Sequence, residues 1–173
     1  MLSLPIHRSI TLVLVRAHYP ENVGATARAL KTMGFTRMSL VKPSRIAVPE
    51  HVMARKMAVK SLDVLEGANR FASFEEATAG FDRIFGTTAR RGVSGVLSPR
   101  TAAEMAVRLA SAEQQIALVL GNEKTGLSSD DLERCHERIR IPMAADQPSI
   151  NLAQAAQLLA YELFVAALSA RER

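Results

Sequence analysis

A single cysteine, Cys135, leaves the chain without an intrachain disulfide and without the thiolate cluster that a structural zinc needs. The four histidines, His7, His18, His51 and His136, show no metal-ligand spacing, and none accompanies Cys135 as the base of a nucleophile pair. No basic segment followed by an apolar run and a small-residue cleavage site opens the sequence. The most apolar stretch, residues 152–170, is interrupted by Gln154, Gln157, Tyr161, Glu162 and Ser169. It is expected to be a packed helix rather than a membrane span, in a soluble protein of the reducing cytoplasm. A G-x-G-x-x-G fingerprint is missing, and in GNEKTGL (residues 121–127) Lys124 precedes Gly126, the wrong order for a phosphate-binding loop. These absences argue against ordinary kinases, NTPases and dehydrogenases. No fixed-period repeat, low-complexity tract or linker is visible, so residues 1–173 are expected to form one domain.

What is present is a modest positive charge: 22 Lys and Arg against 17 Asp and Glu give +5, with a pI near 9.9. That balance favours a polyanionic partner, nucleic acid first and an acidic membrane surface second. Residues 10–15 (ITLVLV) and 116–120 (IALVL) are short, continuous apolar runs, as strands buried on both faces of a parallel sheet would be. Residues 38–41, 82–86 and 139–141 are further strand candidates, the last ended by Pro142. Helices are expected over residues 22–33, closed by Gly34, and over residues 49–60. Another should open at Thr101, with Glu104 completing a T-x-x-E capping box. The last helix, residues 152–167, carries the apolar stripe Leu152, Ala156, Leu159, Leu163 and Ala167. Alternation of strands with helices predicts an α/β fold with a mainly parallel sheet, whose ligands bind beyond the carboxyl ends of the strands.

Three segments after strands therefore matter: RAHYPENVGATARALKTMGF from Arg16, GNEKTGL from Gly121, and IPMAADQPSINLAQAAQLLAYE from Ile141. Singly, each has a bland explanation. Asn22 could cap a helix, Gly121 and Gly126 could shape a turn, Ser149 could start the last helix, and Ile141 could simply end a strand. Together, in this order, they resemble the SpoU or TrmH branch of the SPOUT RNA methyltransferases, most closely the TrmJ-type tRNA 2′-O-methyltransferases. The likeness lies in N-x-G-A-x-A-R with Asn22 and Arg28, in GNEKTGL with Glu123, and in PSINLAQA with Ser149 and Asn151. GTTARR, residues 86–91, also matches a loop of that subgroup. The chain has Ile150 where the commoner third motif has Leu.

The resemblance implies a C-terminal trefoil knot, a homodimer paired through the last helix, and methyl transfer from S-adenosylmethionine to a ribose 2′-hydroxyl. The expected target is a pyrimidine at the start of the tRNA anticodon loop. Ribosomal RNA, another tRNA position, and a non-catalytic RNA-binding role are the alternatives. The implied donor site comprises Thr87, Thr88, Ala89, Gly121, Ile141, Pro148, Ser149 and Ile150. The implied catalytic set is Arg28, Asn22, Ser149, Asn151 and Glu123. TrmJ-type proteins also carry a C-terminal extension, expected here to be absent or truncated, because the sequence stops at Arg173 directly after the last helix.

A sulfonium methyl is already activated, so its transfer needs in-line placement, desolvation and help with the hydroxyl proton, and no metal. Bringing an arginine from ~12.5 to ~7 to serve as that base would cost about 7 kcal/mol, so a phosphate-gripping fork that orients the hydroxyl is the easier task for Arg28. A solvated helix charge is the other reading of this residue. Arg16, Arg90 and Arg91 are further candidates for phosphate contacts, and Tyr161 and Phe164 for a dimer interface or for internal packing.

Overall fold

The computed structural model describes residues 2–144 and 149–172. After the short helix α1 (Pro5–Ser9), strand β1 (Ile10–Val15) leads to helix α2 (Pro20–Thr32) and strand β2 (Met38–Val41). Helices α3 (Val52–Ala58) and α4 (Leu62–Glu66), strand β3 (Asn69–Phe71) and helix α5 (Phe74–Thr78) follow. The second half runs β4 (Arg83–Thr87), β5 (Val96–Leu97), α6 (Pro99–Ser111), β6 (Ile116–Leu120), α7 (Ser129–Glu133), β7 (Glu137–Ile139) and α8 (Leu152–Arg171).

The strands form one seven-stranded sheet in the order β3-β2-β1-β6-β4-β7-β5, and every pairing is parallel. Strand β1 is central, with Leu12 opposite Met38 on one side and Leu118 on the other. Its continuous apolar sequence follows from burial on both faces. Alternate residues serve opposite layers. Ile10, Leu12 and Leu14 join Met38, Leu40, Ile116, Leu118 and Leu120 beneath the helical layer that holds buried residues of α2, α6 and α8. Val13 and Val15 join Val41, Ala117 and Val119 on the face covered by Phe74 and Ala77 of α5, Leu132 of α7, and Cys135.

The sequence expectations hold for the strands at residues 10–15, 38–41 and 116–120, and the fourth strand is displaced by one residue to Arg83–Thr87. Other boundaries differ, among them the start of α2 at Pro20 rather than residue 22 and the end of α8 at Arg171 rather than residue 167. Helix α6 begins at Pro99, because the Ser98 side chain accepts the Thr101 N–H; Thr101 lies inside the first turn instead of capping it. The last strand lies at Glu137–Ile139 rather than 139–141. The helical region at 49–60 shortens to Val52–Ala58, after which Val59 takes a positive φ of 54°. The stripe Leu152, Ala156, Leu159, Leu163 and Ala167 is buried as expected. By length and composition α8 is the one helix among the described residues able to cross a membrane, yet this stripe is spent on the protein core.

Two close approaches fix the layers. A Cβ on Gly24 would stand 1.9 Å from the Ala54 carbonyl oxygen, so only glycine lets α2 and α3 touch there. At the other layer, Gly86 admits the Cys135 sulfur, which donates to the Asp131 carbonyl at 3.2 Å. Burial, helped by the charge of Asp131, pushes this thiol up to about 12, so it is a poor nucleophile.

His7 is held between the Phe35 ring, edge-on at 5.1 Å, and the Phe164 ring, stacked at 6.2 Å. Phe164 is therefore committed, at least in part, to internal packing. The His7 Nδ1 accepts the Leu4 N–H, while Nε2 is buried without a hydrogen-bond partner among the described residues. Burial lowers the imidazole pKa, and the nearby Met33 backbone only partly opposes it. A depressed histidine leaves stability complete above the unfolded pKa, ~6.5, and loses it as pH falls from there toward the folded value. Urea unfolding midpoints are expected to drop between pH 7.5 and pH 5.5, and to drop less in His7→Gln; equal drops would contradict this origin.

Candidate active site

The chain moves from β1 outward to β2 on one side, and from β6 outward to β7 on the other. The carboxyl ends of β1 and β6 thus mark a topological switch point, where open parallel sheets leave a crevice. A cleft of about 300 Å³ lies beside it, within the usual range for small-molecule sites. Its walls come from the loops after β4, β6 and β7 and from the start of α8.

Of the donor-site residues read from the sequence, Thr87, Thr88, Ala89, Gly121, Ile141, Ser149 and Ile150 all line this cleft. Pro148 lies outside the described residues. Glu123 lines it too, whereas Asn22, Arg28 and Asn151 do not. Leu120, Asn122, Lys124, Leu127, Met143, Leu152 and Ala155 complete much of the wall and were not singled out from sequence. Only Asn122 carried a local signal: its Oδ1 accepts the Lys124 and Thr125 N–H groups, the Asx turn that Asn favours. The apolar members are core residues by composition, and topology alone turns them toward a cavity.

The turn at 121–127 is tight. Asn122 and Gly126 exchange backbone hydrogen bonds, and Gly126 has a φ of +68°. A Cβ on Gly121 would stand 2.1 Å from the backbone of Gly126 and Leu127.

Glu123 is the hub joining the three motif segments. Its Oε2 accepts the His18 N–H at 2.9 Å, and its Oε1 accepts the Tyr19 N–H at 3.2 Å and the Asn22 side-chain amide at 2.9 Å. A carboxylate at the start of α2 also meets the positive end of the helix dipole. Asn22 Oδ1 in turn accepts the Asn151 amide at 3.0 Å, and Asn151 Oδ1 accepts the Ala153 and Gln154 N–H groups. Asn151, not Ser149, is thus the N-cap of α8. This chain of charge-assisted and neutral bonds uses both ends of Asn22, which is buried, and makes it a brace between the first and third motifs. Asn122 adds a second tie by donating to the Arg16 carbonyl at 2.7 Å.

The four arginines differ. Arg28 is exposed on α2, and its guanidinium makes no hydrogen bond or ion pair among the described residues. Arg16 is paired with Asp131 at 2.5 Å. Burial alone would raise the Asp131 carboxyl, but hydrogen bonds from Ser128 and Arg16 outweigh it and hold the group below its usual range. Arg90 donates to Ser129 Oγ and to the Leu127 carbonyl, bracing the cleft wall. Arg91 is exposed at the turn that follows. Among the described residues, no group of three or more His, Cys, Asp or Glu side chains is placed to hold a metal ion.

A parallel α/β sheet with a cleft at its switch point, walled by the loops after three of its strands, defines the broad class of this protein. The model of the SpoU rRNA methylase family matches residues 9–161, and the chain belongs to that family. It is 37% identical over 166 residues to the tRNA (cytidine/uridine-2′-O-)-methyltransferase TrmJ of Yersinia enterocolitica, covering 95% of this chain and 63% of that protein. The chain thus spans a little under two thirds of that relative. A probable methyltransferase from Bordetella pertussis superposes with a TM-score of 0.88 at 36% identity, over 93% of this chain and 97% of that one. TrmJ from Z. mobilis gives a TM-score of 0.81 at 34% identity, over 90% of this chain and 69% of that chain.

Proposed function

We propose that this protein transfers a methyl group from S-adenosylmethionine to a ribose 2′-hydroxyl of RNA, with a pyrimidine at the start of the tRNA anticodon loop as the target. The observation that carries this reading is the cleft at the switch point, into which Thr87, Thr88, Gly121, Ile141 and Ile150 converge from separate loops. Leu120, Ile139, Ile141, Met143 and Leu152 suit an adenine and a thioether, and the backbone of the 121–127 turn suits the polar edges of a nucleoside. The donor, when bound, supplies an activated methyl on a positively charged sulfur. The chain's own part is to exclude water, to hold the cleft walls through the Glu123–Asn22–Asn151 brace, and to present Arg28 to an incoming phosphate. The exposed Arg28 guanidinium, without a partner among the described residues, suits a bidentate phosphate grip, and the basic net charge suits an RNA partner.

The name of the Yersinia relative specifies tRNA, and the name of the family specifies ribosomal RNA. Incubating the protein and donor with purified tRNA and ribosomal RNA separates these. Methylation of tRNA at the start of the anticodon loop is expected. Methylation of ribosomal RNA alone would reject the tRNA assignment and keep the reaction type.

The same reading includes a knotted, single-domain fold, a homodimer and a cytoplasmic location. Support for the knot comes from β7, which enters the sheet between β4 and β5, already joined by residues 88–95. Its end is bonded on both sides, Thr88 N–H to the Ile139 carbonyl and Arg140 N–H to the Leu97 carbonyl. The knotted reading takes the chain past that connection on its way to α8. Support for the dimer comes from α8, where Leu158 and Tyr161 remain exposed beside the buried stripe. Light scattering is expected to give twice the chain mass at micromolar concentration; a monomer throughout that range would reject the dimer.

A further inference from the structure

Among the described residues the cleft wall contains no aromatic side chain, so no ring inside it can stack on a base of the methyl acceptor. Phe35, Phe74 and Phe85 are buried, and Tyr19 and Tyr161 are the exposed phenyl or phenol rings among the described residues. Tyr161 lies in the third turn of α8, on the face just described. Tyr19 stands elsewhere, 38% exposed and next to Glu123 and Lys124 of the cleft wall.

Its placement is tightly specified. The N–H groups of His18 and Tyr19 are both held by Glu123, a residue of the cleft wall. The next wall residue, Lys124, sets its ammonium 6.0 Å from the centre of the Tyr19 ring, at the limit of a cation–π contact. The His18 ring meets Tyr19 nearly perpendicularly at 4.7 Å. Tyr19 precedes α2 as its N-cap but makes no side-chain cap bond, so local helix chemistry does not explain the residue.

We infer that Tyr19 is a stacking platform for a nucleobase in the single-stranded RNA segment that carries the target ribose, with Lys124 meeting a neighbouring phosphate. The inference rests on the reading of RNA as methyl acceptor. Unpaired bases present π faces that aromatic side chains bind with little sequence preference, and a lysine beside the ring adds the phosphate contact such segments need. The hub carboxylate of Glu123 then has a second consequence: the turn that walls the donor cleft also sets the position of the ring that receives the acceptor.

The test uses the full chain, an RNA that the wild type methylates, and the variants Tyr19→Ala, Tyr19→Phe and Lys124→Met. For Tyr19→Ala the RNA KM is expected to rise about tenfold, with kcat within about twofold and calorimetric donor affinity unchanged. Tyr19→Phe should restore the wild-type KM, because the ring and not the hydroxyl does the stacking. Lys124→Met should raise KM and flatten its dependence on salt by roughly one phosphate contact. The platform is overturned by an unchanged KM in Tyr19→Ala, or by equal impairment in Tyr19→Phe. Loss of donor affinity or of the dimer in Tyr19→Ala overturns it as well, assigning the ring to the cleft wall or to a second copy. A wild type that methylates no RNA overturns the underlying reading and the platform with it.

Discussion

Arg28→Ala is expected to lower kcat/KM for RNA methylation by ~10²–10³, while donor affinity stays within about twofold of wild type. The separation follows from geometry. Arg28 is exposed on α2 and lies outside the cleft wall, so its removal takes nothing from the donor's surroundings. Its guanidinium has no partner among the described residues, and alanine favours a helix interior, so the fold should lose little. What disappears is the fork proposed to grip a phosphate and orient the ribose hydroxyl. Arg28→Lys keeps the charge but not the fork, and only partial recovery is expected. Single-turnover rates alongside donor titration check both halves. Full activity in Arg28→Ala would remove this residue from the reaction, and lost donor binding would move it to the other side of the site.

Gly121→Ala should have the opposite signature, a donor affinity reduced by at least about tenfold, or ~1.4 kcal/mol, measured by calorimetry. The added Cβ would stand 2.1 Å from backbone atoms of Gly126 and Leu127, which cannot rotate away as a side chain can. The turn must open, and with it the wall to which Asn122, Glu123 and Leu127 belong. Gly80→Ala, where the new Cβ meets nothing within 4 Å, is the control for a general glycine effect. Because Glu123 also holds the start of α2, the Gly121 variant should in addition show a lower urea midpoint. Unchanged donor affinity would mean that the 121–127 turn is not the donor's wall.

Much of the sheet was legible in the sequence because its central strands are buried on both faces. ITLVLV and IALVL are continuous apolar runs for that reason alone, and no tertiary knowledge is needed to read them. The edge strands β3 and β5 were not legible: NRF and VL are too short and too exposed to leave a pattern. The helices α5 and α7 were missed for a related reason. Each is five residues long and is started by a serine cap, Ser73 or Ser128, rather than announced by periodicity. The T-x-x-E box at Thr101 misled because Ser98 and Pro99 stand just before it and supply a better start.

The site divided along similar lines. Residues at or just after the ends of strands, such as Thr87, Gly121 and Ile141, were found by asking where a parallel sheet binds ligands and by the resemblance of the motifs. Asn22 was found as well, but its bond to Glu123 and those of His18 and Tyr19 were not, because they span more than a hundred residues of sequence. Met143 and Ala155 look like ordinary apolar residues until the fold aims them at a cavity.

Methyl transfer to a ribose oxygen is tested most directly by mass spectrometry of nucleosides digested from RNA that has been incubated with the protein and a donor bearing a trideuterated methyl. The label is expected on the sugar of a 2′-O-methylpyrimidine, and to be absent from the Arg28→Ala reaction at the same time point. A labelled base, or unlabelled RNA from tRNA and ribosomal RNA alike, would contradict this account.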